Sequence, residues 1–463
     1  MVRLIFTIIT LFLAWKIIRA ESTDRLTWYL IAILFLSSGG LVITETPLVL
    51  NPLNISTWAL TFACLVKEPF SEWRHFPLKK TLIFSFICLL LVGFFDGRLP
   101  FYLKIYRPVS YFVYSFFICY LSFLCFKNEE GWEKISRVLF LSMIIVCAYG
   151  LFNHLVKFNH FNDIVYSFTD EVDISNRYQL NLNRPRISSF ASNPIYYGFS
   201  VGLVFIVFLY NYLKKPEKLI STQSFIIIAS LLLVNLYLSN SRTAYMTFLI
   251  GIVCLLMLST SLRLKVNFKS VAVIFIVGLV AINIPAVRDP LEQLTDIFSS
   301  NQKVDGSSIE MRMGQLEGAL SFFDHNIYTG NGFYYIFDTI GFSADHDLNE
   351  ADAELWGFES YLFELLIEQG IAGILGSLVF FTSIVYWLFR QRKYSLEIRQ
   401  IAALGIAIVI SFLCFSIATG TLFTSWYISM FFLGICIKRI VLMNEAILPD
   451  EINEQDTISI DNE

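Results

Sequence analysis

Apolar runs of near-membrane length fill most of this chain, and they leave few folds open to it. They lie around residues 3–19, 26–44, 50–66, 81–96, 107–126, 135–156, 195–213, 224–239, 243–261, 269–286, 370–389, 401–418 and 423–442. A bilayer-crossing helix needs about 20 predominantly apolar residues, so the runs at 50–66 and 81–96 are short for the task. The expected fold is all-α: a polytopic membrane helix bundle of about 12–13 transmembrane helices with one large, partly helical loop on the outer side. Composition agrees, with 56% hydrophobic and only 16% charged residues, where a soluble domain carries about 25% charged. A net charge of −4 gives nucleic acid no footing.

Lys16 and Arg19 follow the first apolar run, where a cleavable signal would need small neutral residues, so that run is read as retained. The eight cysteines all fall inside apolar runs and none has CxxC spacing, which makes them packing residues. The five histidines show no metal-ligand spacing, and no phosphate-binding or dinucleotide fingerprint is present. No metal and no cofactor is expected.

Orientation follows from lysine and arginine in short loops. Segments 67–80, 127–137, 214–218, 263–269 and 390–399 are basic, and they alternate with cation-poor ones. The basic set is assigned to the cytoplasm, together with the C-terminus and an acidic, disordered tail over 445–463. Segments 157–194, 239–242 and 287–358 then face outward. The turn carrying Arg19 and Arg25 reads as cytoplasmic and places Met1 outside if all runs span; the N-terminal parity stays open. Arg98, Lys104 and Arg107 break the pattern on the outer side. They are either a chance cluster or a cationic patch that meets an anionic substrate. Segment 287–358 holds three cations against thirteen acids. Its aromatic content and the helical period of Met311 to Phe323 mark it as folded.

The outward cations are the first candidates for chemistry. Arg184-Pro185-Arg186 opens a stretch that ends in Asn193-Pro194 at the start of a span, and Ser239-Asn240-Ser241-Arg242 forms a whole turn. A guanidinium is permanently charged and can hold two phosphate oxygens at once, so such groups at a bundle mouth suit a lipid diphosphate. A single arginine there also serves simply to snorkel toward lipid phosphates. The carboxylates come second. Glu359 heads a segment running through Glu364 and Glu368 to Gly370 and Gly373, from the acidic loop into a span. It could orient or deprotonate an acceptor hydroxyl, or act only as a helix-dipole partner.

This constellation resembles the O-antigen ligase and polymerase superfamily. The resemblance covers about residues 180–376. It rests on Arg186 to Asn193-Pro194, on Ser241-Arg242-Thr243, on Arg312 through Ala319 with Asp324 and Gly330-Asn331-Gly332-Phe333, and on Glu359 to Gly373. Where the family's ligases open the last motif with a histidine, this chain has Glu359 followed by Ser360, a difference that shifts the reading toward a polymerase. The resemblance implies N-terminal transmembrane helices over 1–156, a ligase/polymerase-like core over 157–376 with periplasmic loops 157–194 and 287–358, C-terminal helices over 377–442, and a cytoplasmic tail over 443–463. It implies a bacterial inner-membrane glycosyltransferase that polymerises undecaprenyl-diphosphate-linked oligosaccharide repeat units on the periplasmic face, metal-independently and with inversion. A chain-length regulator and a flippase are the implied partners. Arg186, Arg242 and Glu359 would carry catalysis. Arg184, Arg312, Tyr196, Tyr197, Tyr334 and Tyr335 would bind substrate, the tyrosines by stacking on sugar rings. The rival readings are a ligase that transfers a finished glycan to lipid A core or protein, and a transporter or flippase for lipid-linked sugars.

Overall fold

A computed structural model describes residues 2–36, 51–69, 71–166, 180, 185–214, 221–259, 309–336, 360–420 and 423–460. Its elements are helical throughout: α1 (Val2–Arg19), α2 (Ser22–Phe35), α3 (Pro52–Lys67), α4 (Lys79–Phe95), α5 (Phe101–Tyr114), α6 (Phe117–Cys125), α7 (Glu129–Val156), α8 (Pro194–Lys214), α9 (Thr222–Leu238), α10 (Arg242–Leu258), α11 (Ile309–His325), α12 (Gly370–Gln391), α13 (Leu396–Ala418) and α14 (Phe423–Ile460). A short turn of helix at Tyr361–Glu364 and a π-helical stretch at Leu365–Gln369 lead into α12. Twelve of the thirteen apolar runs are helical, counting α5 and α6 as one bent rod, and run 269–286 lies outside the described residues.

The all-α polytopic bundle expected from the sequence is what the described residues form. Among the described residues five helices are long and apolar enough to cross a membrane: Glu129–Val156, Pro194–Lys214, Tyr361–Gln391, Leu396–Ala418 and Thr424–Ala446. The bent pair α5–α6, with 51° between its halves, makes a sixth. The other apolar helices are shorter or more charged within the described residues. α2 is 14 residues long and α3 is 16, α9 and α10 are 17 each, and α1 carries Arg3, Lys16 and Arg19 within its 18 residues. The tail differs from expectation, because the α14 helix continues through it to Ile460. Glu445, Ala446 and Leu448 are good helix formers and extend the preceding rod.

α8, α13 and the apolar part of α14 form the interior, while α4 turns Ile83, Phe84, Ile87, Leu91 and Phe94 outward as an apolar surface. The two ends of the bundle differ in chemistry. At one end the basic segments are tied to acids on neighbouring helices. Arg25 meets Glu68 at 3.0 Å, Lys127 meets the same carboxylate at 3.0 Å, and Lys438 meets Glu72 at 2.8 Å. Arg439 grips Glu129 through two contacts of 2.7 Å, and Lys214 reaches Glu397 at 2.5 Å. Here the turn between α1 and α2 is fixed as well, since the Lys67 ammonium donates to the Ile18 carbonyl. The far end of α1 meets the opposite side of the bundle, where Phe6 packs on Phe161 and Phe35 on Phe190. α1 therefore begins at the end that also bears the 239–241 turn.

Candidate functional site

At the loop-bearing end, α9 stops at Leu238 and α10 starts at Arg242, so the connecting turn has almost no slack. Ser241 caps α10 by accepting the Ala244 N–H at 3.3 Å, and Asn240 takes the left-handed conformation (φ 48°) that closes the turn. The segment leading to α8 docks on this turn. The Ile187 N–H donates to the Leu238 carbonyl at 3.1 Å, and the Arg186 Nε donates to the Ser239 carbonyl at 3.4 Å. Asn159 and Asn162 hold the same segment from below through the Ser188 hydroxyl, both at 3.1 Å, and Ser189 donates to the Val146 carbonyl at 2.6 Å. Gly198 permits the close approach, because a Cβ there would collide with Ser239 and Ala244. Arg186 and Arg242, more than fifty positions apart in sequence, thus flank one turn, each half-buried.

Tyr196 and Tyr197 are placed differently from the expectation. Both are buried. The Tyr197 hydroxyl donates to Asn235 at 2.7 Å and the Tyr196 hydroxyl to the Gly420 carbonyl at 3.2 Å. As the third and fourth residues of α8, they lie on a helix whose whole circumference is packed, so their rings fill protein and offer no face to a sugar.

The opening and exit of the large loop interlock. α11 ends in a turn whose Asn331 and Gly332 N–H groups donate to the Ile367 and Glu368 carbonyls, both at 2.9 Å. In return the Ile371 and Ala372 N–H groups donate to the Ile327 and Tyr328 carbonyls, both at 2.9 Å. This exchange needs carbonyls and N–H groups that a continuous α-helix would use internally, and the π-helical break at 365–369 frees them. Gly370 (φ 57°) and Gly330 (φ 64°) meet back to back, and a Cβ on either would strike the other strand's backbone. The Glu368 carboxylate completes the joint by accepting the Tyr334 and Ile336 N–H groups, both at 3.1 Å.

Two of the three cations that break the orientation pattern, Arg98 and Arg107, belong to this joint. Arg107 donates to the Phe333 carbonyl at 2.7 Å and lies 5.1 Å over the Tyr334 ring. Arg98 lies 4.8 Å over the Tyr335 ring and pairs with the buried Asp96 at 2.9 Å. In the sequence Arg98, Lys104 and Arg107 break an orientation pattern, but the rings and carbonyl that Arg98 and Arg107 meet lie more than 220 positions away. Glu368 was visible only as a carboxylate one turn from Glu364.

A line of contacts joins the two halves of this end. Tyr196 reaches Gly420, the Tyr361 N–H donates to the Thr419 carbonyl at 3.2 Å, and the Tyr361 and Tyr111 hydroxyls meet at 2.8 Å. Tyr111 in turn packs on Phe333 with ring centroids 5.3 Å apart. Glu359 and Arg184 lie outside the described residues; Ser360, directly after Glu359, caps the next helical turn through the Leu362 N–H. Arg312 is on α11, with its side chain outside the described set. Among the described residues no three His, Cys, Asp or Glu side chains converge in a way that could hold a metal.

No curated protein matches the chain. The family model described as O-antigen ligase matches residues 227–378, about a third of the 463 residues. That stretch contains the α9–α10 turn with Arg242, helix α11, the interlocked joint and the start of α12; the segment with Arg186 lies before it. Over residues 227–378 the chain is therefore similar to the family described as O-antigen ligase.

Proposed function

We propose that this protein polymerises undecaprenyl-diphosphate-linked oligosaccharide repeat units into a surface polysaccharide, working from the outer face of the bacterial inner membrane. The observation that carries the reading is the pairing of Arg186 and Arg242 on one turn, at the end opposite the basic loops. Lysine and arginine in short loops favour the cytoplasm, so the basic end is assigned inward and the loop-bearing end outward.

The growing chain on undecaprenyl diphosphate is the donor and one lipid-linked repeat unit is the acceptor. A hydroxyl of the acceptor sugar attacks the donor anomeric carbon and forms the new glycosidic bond with inversion. The bond to the diphosphate oxygen breaks, and undecaprenyl diphosphate leaves with the electron pair. Expulsion of that diphosphate dominates the barrier, and fixed positive charge aimed at the departing oxygens lowers it. Arg186 and Arg242 supply that charge, with Arg312 and Arg184 as further contacts. Glu359 orients the acceptor hydroxyl and takes its proton.

The family description favours a second reading, a ligase that moves a finished glycan to another acceptor. Deleting the gene and resolving surface glycan on a gel separates them. Single-repeat glycan is the polymerase outcome, and long chains retained on the lipid carrier are the ligase outcome.

A further inference from the structure

We propose that Glu368 is a positioning residue for the acceptor glycan, acting through a two-tyrosine ledge that it holds open at the bundle mouth. The inference rests on the glycan-polymerising reading above and assigns its acceptor subsite. Tyr334 sits in the left-handed region at φ 61°, a conformation a bulky residue adopts only when its surroundings impose it. The surroundings are the two carboxylate oxygens of Glu368, one on the Tyr334 N–H and one on the Ile336 N–H. This grip directs the turn so that Tyr334 and Tyr335 each present a guanidinium-backed ring, under Arg107 and Arg98 respectively, and both remain half-exposed. Gly332 seats the turn against Asp96 and Arg98, where a Cβ would not fit. Aromatic faces beside fixed donors form a surface that takes a sugar ring by its apolar face and its hydroxyls by hydrogen bonds. The diphosphate leaves from the α9–α10 turn and not from this joint, so Glu368 affects acceptor binding and not bond breaking.

The test uses the full-length protein in proteoliposomes. The acceptor is the lipid-linked repeat unit extracted from cells lacking this protein, varied at fixed donor chain. Glu368→Gln keeps the side-chain volume but offers one acceptor oxygen where two are used. It is expected to raise KM for the acceptor about tenfold with kcat within about twofold. Tyr335→Ala, at a half-exposed position, is expected to give a similar KM shift. The double variant should add little to either, because both act on one ledge. An unchanged acceptor KM in Glu368→Gln, a fall in kcat alone, or full additivity would each overturn the inference while leaving the polymerase reading intact. Failure of the wild-type protein to extend the lipid-linked repeat at all would remove that reading and the inference with it. If Glu368→Gln does not accumulate, the Tyr335→Ala KM decides alone: a tenfold rise supports the ledge and a wild-type value removes it.

Discussion

Arg186 donates from its Nε to the carbonyl of Ser239, three residues before Arg242. That one bond ties the segment entering α8 to the turn entering α10, so that two arginines distant in sequence flank one turn. Electrostatic assistance to a leaving diphosphate requires such convergence, since charge held in place costs no reorganisation as the bond breaks.

The sidedness can be checked directly. All eight native cysteines are buried or half-buried, so they give a low background to a membrane-impermeant maleimide. In intact spheroplasts Arg242→Cys is expected to label from outside, whereas a cysteine placed at the exposed Lys393 should label only after the membrane is permeabilised. Reversal of the two patterns would remove the outer-face assignment.

Glu359 is expected to act on the acceptor hydroxyl. Glu359→Gln should slow chain growth about 10²-fold or more, the range typical of lost general-base assistance, with normal amounts of protein in the membrane. Chain growth at the wild-type rate would leave Glu359 only the role of a helix-dipole partner.

The Arg25–Glu68 pair is expected to matter for stability, as its side chains are only 1% and 5% exposed. Removing one partner of a buried pair strands the other charge and costs about 3–5 kcal/mol, while replacing both with apolar side chains is often neutral. Glu68→Ala should therefore lower the melting temperature in detergent, and Arg25→Met combined with Glu68→Leu should recover most of the loss. Equal melting temperatures for Glu68→Ala and wild type would contradict this.

Acid should weaken the basic end of the bundle. Burial pushes the Glu68 carboxyl up, but hydrogen bonds from Ser22 and Lys127 and the charge of Lys127 outweigh it and hold the group below the usual glutamate range. Glu72 is likewise held low against burial by Lys438. A carboxyl depressed in the folded state contributes stability above its unfolded value of about 4.3, and that contribution disappears as pH falls through the lower folded value. The melting-temperature gap between wild type and Glu68→Gln should thus be widest near neutrality and close as pH drops below about 4. A gap that stays constant down to pH 3 would show that Glu68 contributes no such linkage.

The helical rods, the contrast between the two ends and the Ser241-Arg242 turn were legible in the sequence because each depends on local hydropathy, charge or capping. The helical period from Met311 to Phe323 likewise reappears as α11. What depends on distant partners was not legible. Tyr196 and Tyr197 read as free aromatics near a mouth, yet α8 is packed all round and takes both inward. Arg98 and Arg107 read as exceptions to a rule, and only the folded chain shows the tyrosine rings and the Phe333 carbonyl that retain them. The π-helical break before Gly370 has no local signature beyond the glycine, because it is the turn at 327–332 that uses the backbone groups it releases.

Whether the two arginines act on the diphosphate is tested most directly by Arg186→Ala and Arg242→Ala, each expressed in place of the wild-type protein, with surface glycan resolved by chain length and the protein quantified in the membrane. Loss of one such charge-stabilising group typically costs about 10²–10³ in rate, so the account predicts single-repeat glycan from both variants at normal protein levels. A full-length polymer ladder from either variant would contradict it.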